Sequence, residues 1–155
     1  LSEKKREKLF DEITENALAW SVSLVDERVI DEINILQATR LGMKNALLSL
    51  PIRPDAVITD GNMTLDIPFP QRSIVRGDAL SYSIGAASIV AKVYRDALME
   101  KYAEAYPAYG FERNKGYGTA EHIKAIKEQG LCPIHRRTFT KKLLAGGGKS
   151  LPKNI

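Results

Sequence analysis

Residues 56–78, AVITDGNMTLDIPFPQRSIVRGD, contain two short apolar runs, and each run leads into an aspartate next to a glycine. The first run ends at Asp60, and the second is closely followed by Asp78. Short apolar runs bounded by turn residues are typical of buried strands. Because ligands gather at the carboxyl ends of strands in α/β sheets, the two carboxylates are expected to converge there. Mg²⁺ prefers oxygen ligands, so Asp60 and Asp78 are candidate metal ligands. The alternative is that the neighbouring Asp and Gly residues only form turns.

Helical patterns flank these two strands. The predicted helices cover residues 3–18, 35–50, 82–104 and 119–129. Ser2 and Asn34 are N-cap residue types for the first two of them, and Asp26 is an N-cap type before a short helical turn. Residues 19–25, AWSVSLV, alternate small or polar with apolar side chains and predict a further strand. The stripe expected to be buried on the second helix consists of Ile35, Leu36, Thr39, Met43, Ala46, Leu47 and Leu50.

The formal net charge of +4 is unevenly distributed along the chain. Residues 1–112 carry 13 basic and 17 acidic side chains, whereas residues 113–155 carry 10 basic and 2 acidic ones. A basic C-terminal third on a nearly neutral body favours a surface for a polyanion, most often a nucleic acid. The alternative is a solvated charged tail.

Two segments of this basic third are candidate nucleic-acid contacts. In NKGYGT, residues 114–119, two glycines flank Tyr117, so neighbouring side chains cannot cover its ring. Exposed aromatic rings among basic residues such as Lys115 often stack on bases or sugars, although a tyrosine folded back onto the core is the alternative. In HRRTFTKK, residues 135–142, Arg136 and Arg137 suit phosphate contacts. A solvated charge run is the alternative there.

Composition and motifs exclude several other classes of protein. A chain with 44% hydrophobic and 27% charged residues is neither disordered nor collagen-like. Its single cysteine, Cys132, cannot form an internal disulfide, and its proximity to His135 is interpreted as incidental rather than as a nucleophile–base pair. The GGGKS sequence at 146–150 lacks the first glycine of a P-loop, because Leu143 stands at that position. No apolar run approaches the ~20 residues that cross a bilayer, and no signal-peptide core follows the charged N-terminus.

Seven segments, in order, resemble ribonuclease HII, the bacterial type 2 ribonuclease H. They are LSEKKREKLFDEI, DEINILQATRLGM, ITDGN, VRGDAL, AASIVAKVYRD, NKGYGT and HRRTF. The resemblance implies an α/β fold of the ribonuclease H type, a mixed sheet flanked by helices with a helical C-terminal part. It assigns residues 1–143 to a catalytic domain whose substrate-binding helices begin near residue 107, and residues 144–155 to a flexible Gly/Lys tail.

The resemblance also implies an activity and the residues that perform it. The family cleaves the RNA strand of RNA–DNA hybrids and cuts at ribonucleotides embedded in duplex DNA, leaving 3′-hydroxyl and 5′-phosphate ends. Four carboxylates hold two divalent ions, Mg²⁺ or Mn²⁺, and Asp60 and Asp78 match two of these catalytic ligands. Tyr117 matches the tyrosine that packs on the sugar at the RNA–DNA junction, and the HRRTF run matches a basic element near the substrate. Asp96 is interpreted as structural, with support of the metal ligands as the alternative.

One departure from the family pattern affects this prediction. The family's first Asp-Glu pair and its Gly-Arg-Gly segment are not found in this sequence, so the first strands of the sheet are expected to be absent. One hypothesis is that the chain is the C-terminal portion of a complete nuclease, and the other is a hybrid-binding module without catalysis. The further expectations are a cytoplasmic monomer, no membrane partner, and roles in ribonucleotide excision repair and DNA replication.

Overall fold

A computed structural model of the protein describes residues 1–145, which fall into two compact units. Unit 1 comprises Leu1–Val25 and Ile33–Tyr94, and unit 2 comprises Asp26–Glu32 and the chain from Arg95 onward. The elements are α1 (Glu3–Asn16), α2 (Glu27–Leu48), β1 (Val57–Asp60), β2 (Gln71–Ile74), α3 (Gly77–Leu80), α4 (Tyr82–Ala105), a 3₁₀ turn (Pro107–Tyr109), α5 (Phe111–Asn114), α6 (Ala120–Gln129) and α7 (Arg137–Ala145). The GGGKS sequence and most of the predicted tail lie outside the described residues.

The helix caps predicted from the sequence are present. The hydroxyl of Ser2 accepts a hydrogen bond from the backbone of the first turn of α1 at 3.4 Å. Asp26 caps the start of α2 by accepting from the backbone N–H of Val29 at 2.9 Å. Asn34, with φ 69° and ψ 165°, interrupts α2 and caps its second half by accepting from the N–H of Gln37 at 3.1 Å. All three caps could be predicted from the sequence because each depends only on residues two or three positions away.

Two expectations for unit 1 are wrong. The described residues form no β ladder over 19–25, where instead the Ser21 hydroxyl donates to the Ala46 carbonyl at 2.5 Å. Ile35 and Leu36 are exposed, whereas Ala38 is the buried residue of α2. Alternation along a sequence shows which side chains share a face, but a strand also needs a hydrogen-bonded neighbour and an apolar stripe needs a covering surface.

The two predicted strands around residues 56–78 are confirmed. Strands β1 and β2 pair in parallel, with Asp60 opposite Ile74. Their connection, residues 61–70, is tied back to the sheet by the side chain of Gln71, which exchanges hydrogen bonds of 2.8 and 2.7 Å with the backbone of Leu65. Leu65 is buried by this arrangement. The α/β class is therefore confirmed, with a small parallel sheet among helices in the described residues.

Unit 2 is helical and has an aromatic core. Phe111, only 1% exposed, stacks on Tyr109 with ring centroids 5.5 Å apart. Met99, Ile126 and Cys132 complete the buried cluster. The helices predicted over 82–104 and 119–129 are confirmed as α4 and α6. Among the described residues, no helix is long and apolar enough to span a membrane.

Candidate functional site

In unit 1, the carboxylate of Asp60 is fixed by the chain that follows β2. The backbone N–H of Gly77 donates to Asp60 Oδ1 at 2.7 Å. A Cβ atom at position 77 would meet Ile84 Cδ1 at 2.5 Å and Asp60 Cα at 3.5 Å. A larger residue at this position would therefore crowd the buried Ile84 side chain, whereas the Asp60 backbone lies at an ordinary contact distance.

Asp78 follows Gly77 directly and lies, exposed, in the first turn of α3. Arg76, in the left-handed conformation with φ 59° and ψ 37°, turns the chain from β2 into this helix. Strand-end placement predicted that the two aspartates would converge. Only the hydrogen bond from Gly77 to Asp60 is established directly, and it ties the residue preceding Asp78 to the end of β1.

The donor set of this site suits a divalent cation in kind, because carboxylate oxygens are the ligands that Mg²⁺ and Mn²⁺ take. It is small in number. Within residues 1–145, no group of three or more His, Cys, Asp or Glu side chains is arranged to hold a metal ion. Two carboxylates alone are fewer ligands than a two-metal centre needs.

In unit 2, Tyr117 is held in the loop before α6 while its ring remains accessible. The guanidinium of Arg95 lies over the ring, with its Cζ 5.1 Å from the ring centroid, and donates to the Lys115 carbonyl at 2.8 Å. Tyr117 is 44% exposed. The ring thus contacts a cation and still offers surface to a ligand. This arrangement is intermediate between the two alternatives left open by the sequence, a fully exposed ring and a ring folded back onto the core.

The loop that carries Tyr117 has a defined backbone. Lys115 and Gly116 both have positive φ, 48° and 81°. The buried side chain of Asn114 joins the two ends of the turn, since it accepts from the Gly116 N–H at 2.8 Å and donates to the Tyr109 carbonyl at 2.6 Å. The Lys115 ammonium forms an ion pair with Glu100 at 2.8 Å, and its side chain is 14% exposed. A phosphate would therefore have to compete with Glu100 for Lys115.

A buried histidine pair lies beneath the same loop. His122 Nδ1 is 2.8 Å from the Tyr117 carbonyl oxygen, and the Nε2 atoms of His122 and His135 are 3.0 Å apart. Burial lowers the pKa of both imidazoles. The Cys132 thiol lies 3.1 Å from His135 Nδ1, but burial raises its pKa and disfavours the thiolate that a nucleophile needs.

The predicted arginines lie at the start of α7. Arg136 is half-buried, with its guanidinium 4.6 Å from the Phe139 ring centroid, and Arg137 is exposed. Burial lowers the pKa of Arg136, the nearby charge of Asp31 opposes that effect, and the like charge of Arg95 adds to it. The neighbouring positive charges of Arg95 and Arg136 add to a positive potential, and such a potential attracts phosphate.

Asp31 anchors the start of α7. Its carboxylate accepts hydrogen bonds from the backbone N–H of Arg137 at 2.6 Å and of Thr138 at 3.1 Å, and from the Thr138 hydroxyl at 2.5 Å. Partial burial raises the pKa of Asp31, but these hydrogen bonds and the charge of Arg136 outweigh it, so the pKa lies below its usual value. Asp31 therefore fixes the segment that carries both predicted arginines.

Comparison with known proteins identifies the family. The profile of the family described as ribonuclease HII matches residues 1–142. The chain belongs to the ribonuclease HII family. It is 54% identical to ribonuclease HII of Ligilactobacillus salivarius (strain UCC118), with 93% of this chain and 57% of the relative covered. It is 56% identical to ribonuclease HII of Endomicrobium trichonymphae, with 90% of this chain and 67% of the relative covered.

A solved ribonuclease structure supports the same fold. The chain matches the crystal structure of the ribonuclease H2 from Pyrococcus horikoshii OT3 with a TM-score of 0.77 and 27% identity. The match covers 94% of this chain and 78% of that one. The resemblance drawn from the sequence is thus confirmed for the family and the fold. The chain spans 57% and 67% of the length of these two ribonuclease HII relatives.

For this ribonuclease HII chain, sequence reasoning missed three features of unit 2: the Arg95 contact with Tyr117, the Asp31 cap of α7, and the His122–His135 pair. Arg95 was visible only as part of the AKVYRD segment, next to Asp96, which is buried. The other two features depend on residues brought together by the fold, 106 positions apart for Asp31 and Arg137. No local pattern predicts such pairs.

Proposed function

We propose that the chain is the part of a ribonuclease H endonuclease that hydrolyses the RNA strand of RNA–DNA hybrids and cuts at single ribonucleotides in duplex DNA. The products are a 3′-hydroxyl and a 5′-phosphate. The observation that carries the proposal is the pairing of Asp60 with the backbone of Gly77, which ties the end of β1 to the segment bearing Asp78. Membership of the ribonuclease HII family supports the same activity.

Asp60 and Asp78 would hold divalent metal, Mg²⁺ or Mn²⁺, together with further ligands. When two such ions are bound, they supply an activated water and stabilise the leaving 3′-oxygen. Asp60 Oδ1 accepts one hydrogen bond from the Gly77 N–H, which orients the carboxylate and leaves lone pairs on both of its oxygens for a metal. Asp78, exposed on α3, would complete part of the coordination.

Unit 2 would provide the nucleic-acid contacts. Tyr117, backed by Arg95, would pack on the sugar at the RNA–DNA junction. Arg136 and Arg137 would contact backbone phosphates, with Lys115 contributing if its ion pair with Glu100 opens. Phosphate contacts position a nucleic acid without reading its sequence, which suits an enzyme that recognises ribose rather than bases.

A second candidate function is binding of RNA–DNA hybrids without catalysis. It is favoured by the small number of metal ligands in the described residues, where no group of three or more His, Cys, Asp or Glu side chains is arranged around a metal position. Under this alternative, unit 2 would bind the substrate as proposed, and Asp60 and Asp78 would hold metal too weakly for hydrolysis.

A cleavage assay on a DNA duplex with one embedded ribonucleotide separates the two candidates. The chain of residues 1–155 and the full-length polypeptide that contains it are each tested with Mg²⁺ or Mn²⁺, and binding is measured in parallel. The proposal predicts cutting by the full-length polypeptide at the ribonucleotide. Binding without cutting by both samples would support the second candidate, and failure to bind or cut would reject both.

We also propose that residues 1–143 serve as one catalytic domain, with substrate binding from about residue 107, in a cytoplasmic monomer. Light scattering coupled to gel filtration of the full-length protein tests the oligomeric state. A stable dimer would contradict this part of the proposal.

A further inference from the structure

The His122–His135 pair has one proton arrangement that satisfies all of its backbone neighbours. The Cys132 N–H can only donate, so His135 Nδ1, 2.9 Å away, must accept. The Tyr117 carbonyl can only accept, so His122 Nδ1 must carry a proton and donate to it. In the neutral pair, one proton then remains for the Nε2–Nε2 contact, and it belongs to His135. The result is a chain of three hydrogen bonds from the Cys132 backbone to the Tyr117 backbone.

The surroundings of the pair favour this neutral state. The rings of Tyr109 and Phe111 pack against both imidazoles, with centroid separations between 4.9 and 6.4 Å. The titratable groups that face the pair are the hydroxyl of Tyr109, which donates to the Gly130 carbonyl, and the thiol of Cys132. Burial raises the pKa of that thiol and the charge of Glu27 adds to the effect, so the thiol also stays neutral.

We propose that His122 and His135 are positioning residues for Tyr117. His122 fixes the Tyr117 carbonyl by a hydrogen bond, while Arg95 contacts the Tyr117 ring, so the ring is held in one orientation. His135 acts on Tyr117 only through His122, because its Nε2–H donates to His122 Nε2 and so fixes the tautomer of His122. This inference rests on the proposed function, in which Tyr117 packs on the sugar at the RNA–DNA junction, and adds to it the two residues that determine the precision of that contact.

The same geometry makes the positioning dependent on protonation. A third proton on the pair places two N–H groups face to face, either between the two Nε2 atoms or between His135 Nδ1 and the Cys132 N–H. One bond of the chain is then lost. The anchoring of the Tyr117 loop is therefore strongest when both imidazoles are neutral and weakens as the pH falls.

A double-mutant cycle in the full-length enzyme tests the proposal. The readout is junction preference, the ratio of cleavage at a single embedded ribonucleotide to cleavage of a uniform hybrid. His122→Ala is expected to lower this preference about tenfold, as misplacement of a contact group does. In a Tyr117→Ala background, His122→Ala should lower the preference by less than about a further twofold, because the effects of substitutions at residues that act together are not additive. His122→Asn, whose amide can still donate to the Tyr117 carbonyl, should keep most of the preference.

Ile126→Val in the same helix is the matched control for a destabilised core, because Ile126 is buried and makes none of these hydrogen bonds. It should leave the preference unchanged. Full additivity of His122→Ala and Tyr117→Ala, or an equal loss in Ile126→Val, would overturn the positioning role. If His122→Ala does not fold, His122→Asn is compared with the wild type across pH 5 to 8 instead. A wild-type junction preference that falls as the pH is lowered supports the proposal, and a flat profile overturns it.

A spectroscopic readout separates this inference from the proposed function. The NMR resonances of the Tyr117 ring should shift or broaden in His122→Ala and stay in place in Ile126→Val. If Tyr117→Ala leaves the junction preference unchanged, the assignment of Tyr117 to the substrate is wrong, whereas shifted Tyr117 resonances would still support its positioning by His122. Unmoved resonances in His122→Ala would reject the positioning itself.

Discussion

The two units bury their apolar side chains to different extents. In unit 2, the aromatic and sulfur-containing side chains around Phe111 are buried together, and exposure of large apolar side chains in its described part is confined to Tyr117, Leu131 and Leu144. In unit 1, even Ile58 of strand β1 is 41% exposed. The other large apolar side chains exposed there are Leu1, Leu18, Trp20, Leu24, Ile35, Leu36, Leu41, Leu48, Ile52, Val75, Leu80, Tyr82 and Tyr94.

This difference separates the two proposed tasks. The unit with the candidate nucleic-acid contacts packs around its own residues, and its loops are fixed by buried hydrogen bonds. The unit with the candidate metal ligands buries fewer of its large apolar side chains, so less packing supports its structure. We therefore expect the geometry of Tyr117 to depend on unit 2 alone, and the stability of the Asp60 site to be more easily disturbed.

The largest expected effect on stability comes from Gly77→Ala in unit 1. Its Cβ would lie 2.5 Å from Ile84 Cδ1, and overpacking of this kind costs about 1–3 kcal/mol. The hydrogen bond from residue 77 to Asp60 should lengthen as the chain moves away. Native-state hydrogen exchange should accelerate in β1 and β2 and stay unchanged in α6.

Gly42→Ala is the matched control for that substitution. Gly42 lies in α2, and an added Cβ would meet only Val25 Cγ2, at 3.4 Å. Alanine in a helix interior is favourable by up to about 1 kcal/mol relative to glycine, so this variant should be as stable as the wild type or more so. Equal acceleration of exchange in both units of Gly77→Ala would mean that they unfold together, and the contrast between them would fail.

A smaller effect is expected from the pH dependence of unit 2. Burial lowers the pKa of His122 and His135 below the ordinary value of 6.5, so the unfolded chain takes up protons first as the pH falls. The contribution of the two neutral histidines to the free energy of unfolding is therefore fully present above about pH 6.5 and is lost as the pH falls below it. The loss is about 1.4 kcal/mol per histidine for each pH unit between its pKa in the unfolded chain and its lower pKa in the folded chain. Urea unfolding at pH 7.5 and pH 5.5 measures this loss. Replacement of both histidines by asparagine should flatten the profile, and an unchanged slope would remove them as its cause.

The smallest of these effects concerns Asp31. Asp31→Ala removes the cap of α7 and should destabilise that helix by about 1 kcal/mol, as loss of a capping side chain does. Hydrogen exchange should rise in α7 and not in β1. Asp31→Asn, which keeps an acceptor oxygen, should have about half of the effect, so identical losses in the two variants would show that the hydrogen bonds are not what Asp31 contributes.

The parts of the fold that the sequence predicts are those that depend on near neighbours. The caps Ser2, Asp26 and Asn34 act within three residues, and each was predicted correctly. The placement of Asp60 at the end of β1 was also predictable, because turn chemistry follows its apolar run, whereas Asp78 lies in the first turn of α3, four residues past the end of β2. The strand predicted over 19–25 failed, since its pattern does not specify a hydrogen-bonded partner.

The site was less predictable than the fold. The basic loop and Tyr117 were apparent from composition, but the ion pair that occupies Lys115 and the cation that covers Tyr117 come from α4, at Glu100 and Arg95. The histidine pair was also not predictable, because the two residues are thirteen positions apart in the sequence and only the fold brings their Nε2 atoms to 3.0 Å. Such contacts follow from tertiary packing, which no sequence period encodes.

We propose that unit 1 carries catalysis and unit 2 carries substrate binding. This division is tested by measuring cleavage and the salt dependence of binding together, in full-length Asp60→Asn and Arg136→Ala/Arg137→Ala. We predict that Asp60→Asn lowers cleavage by at least about a hundredfold and leaves the salt slope unchanged. The double arginine variant should reduce the salt slope by about two while it retains cleavage at saturating substrate. Lost binding with retained cleavage in Asp60→Asn, or an unaltered slope in the arginine variant, would contradict the claim.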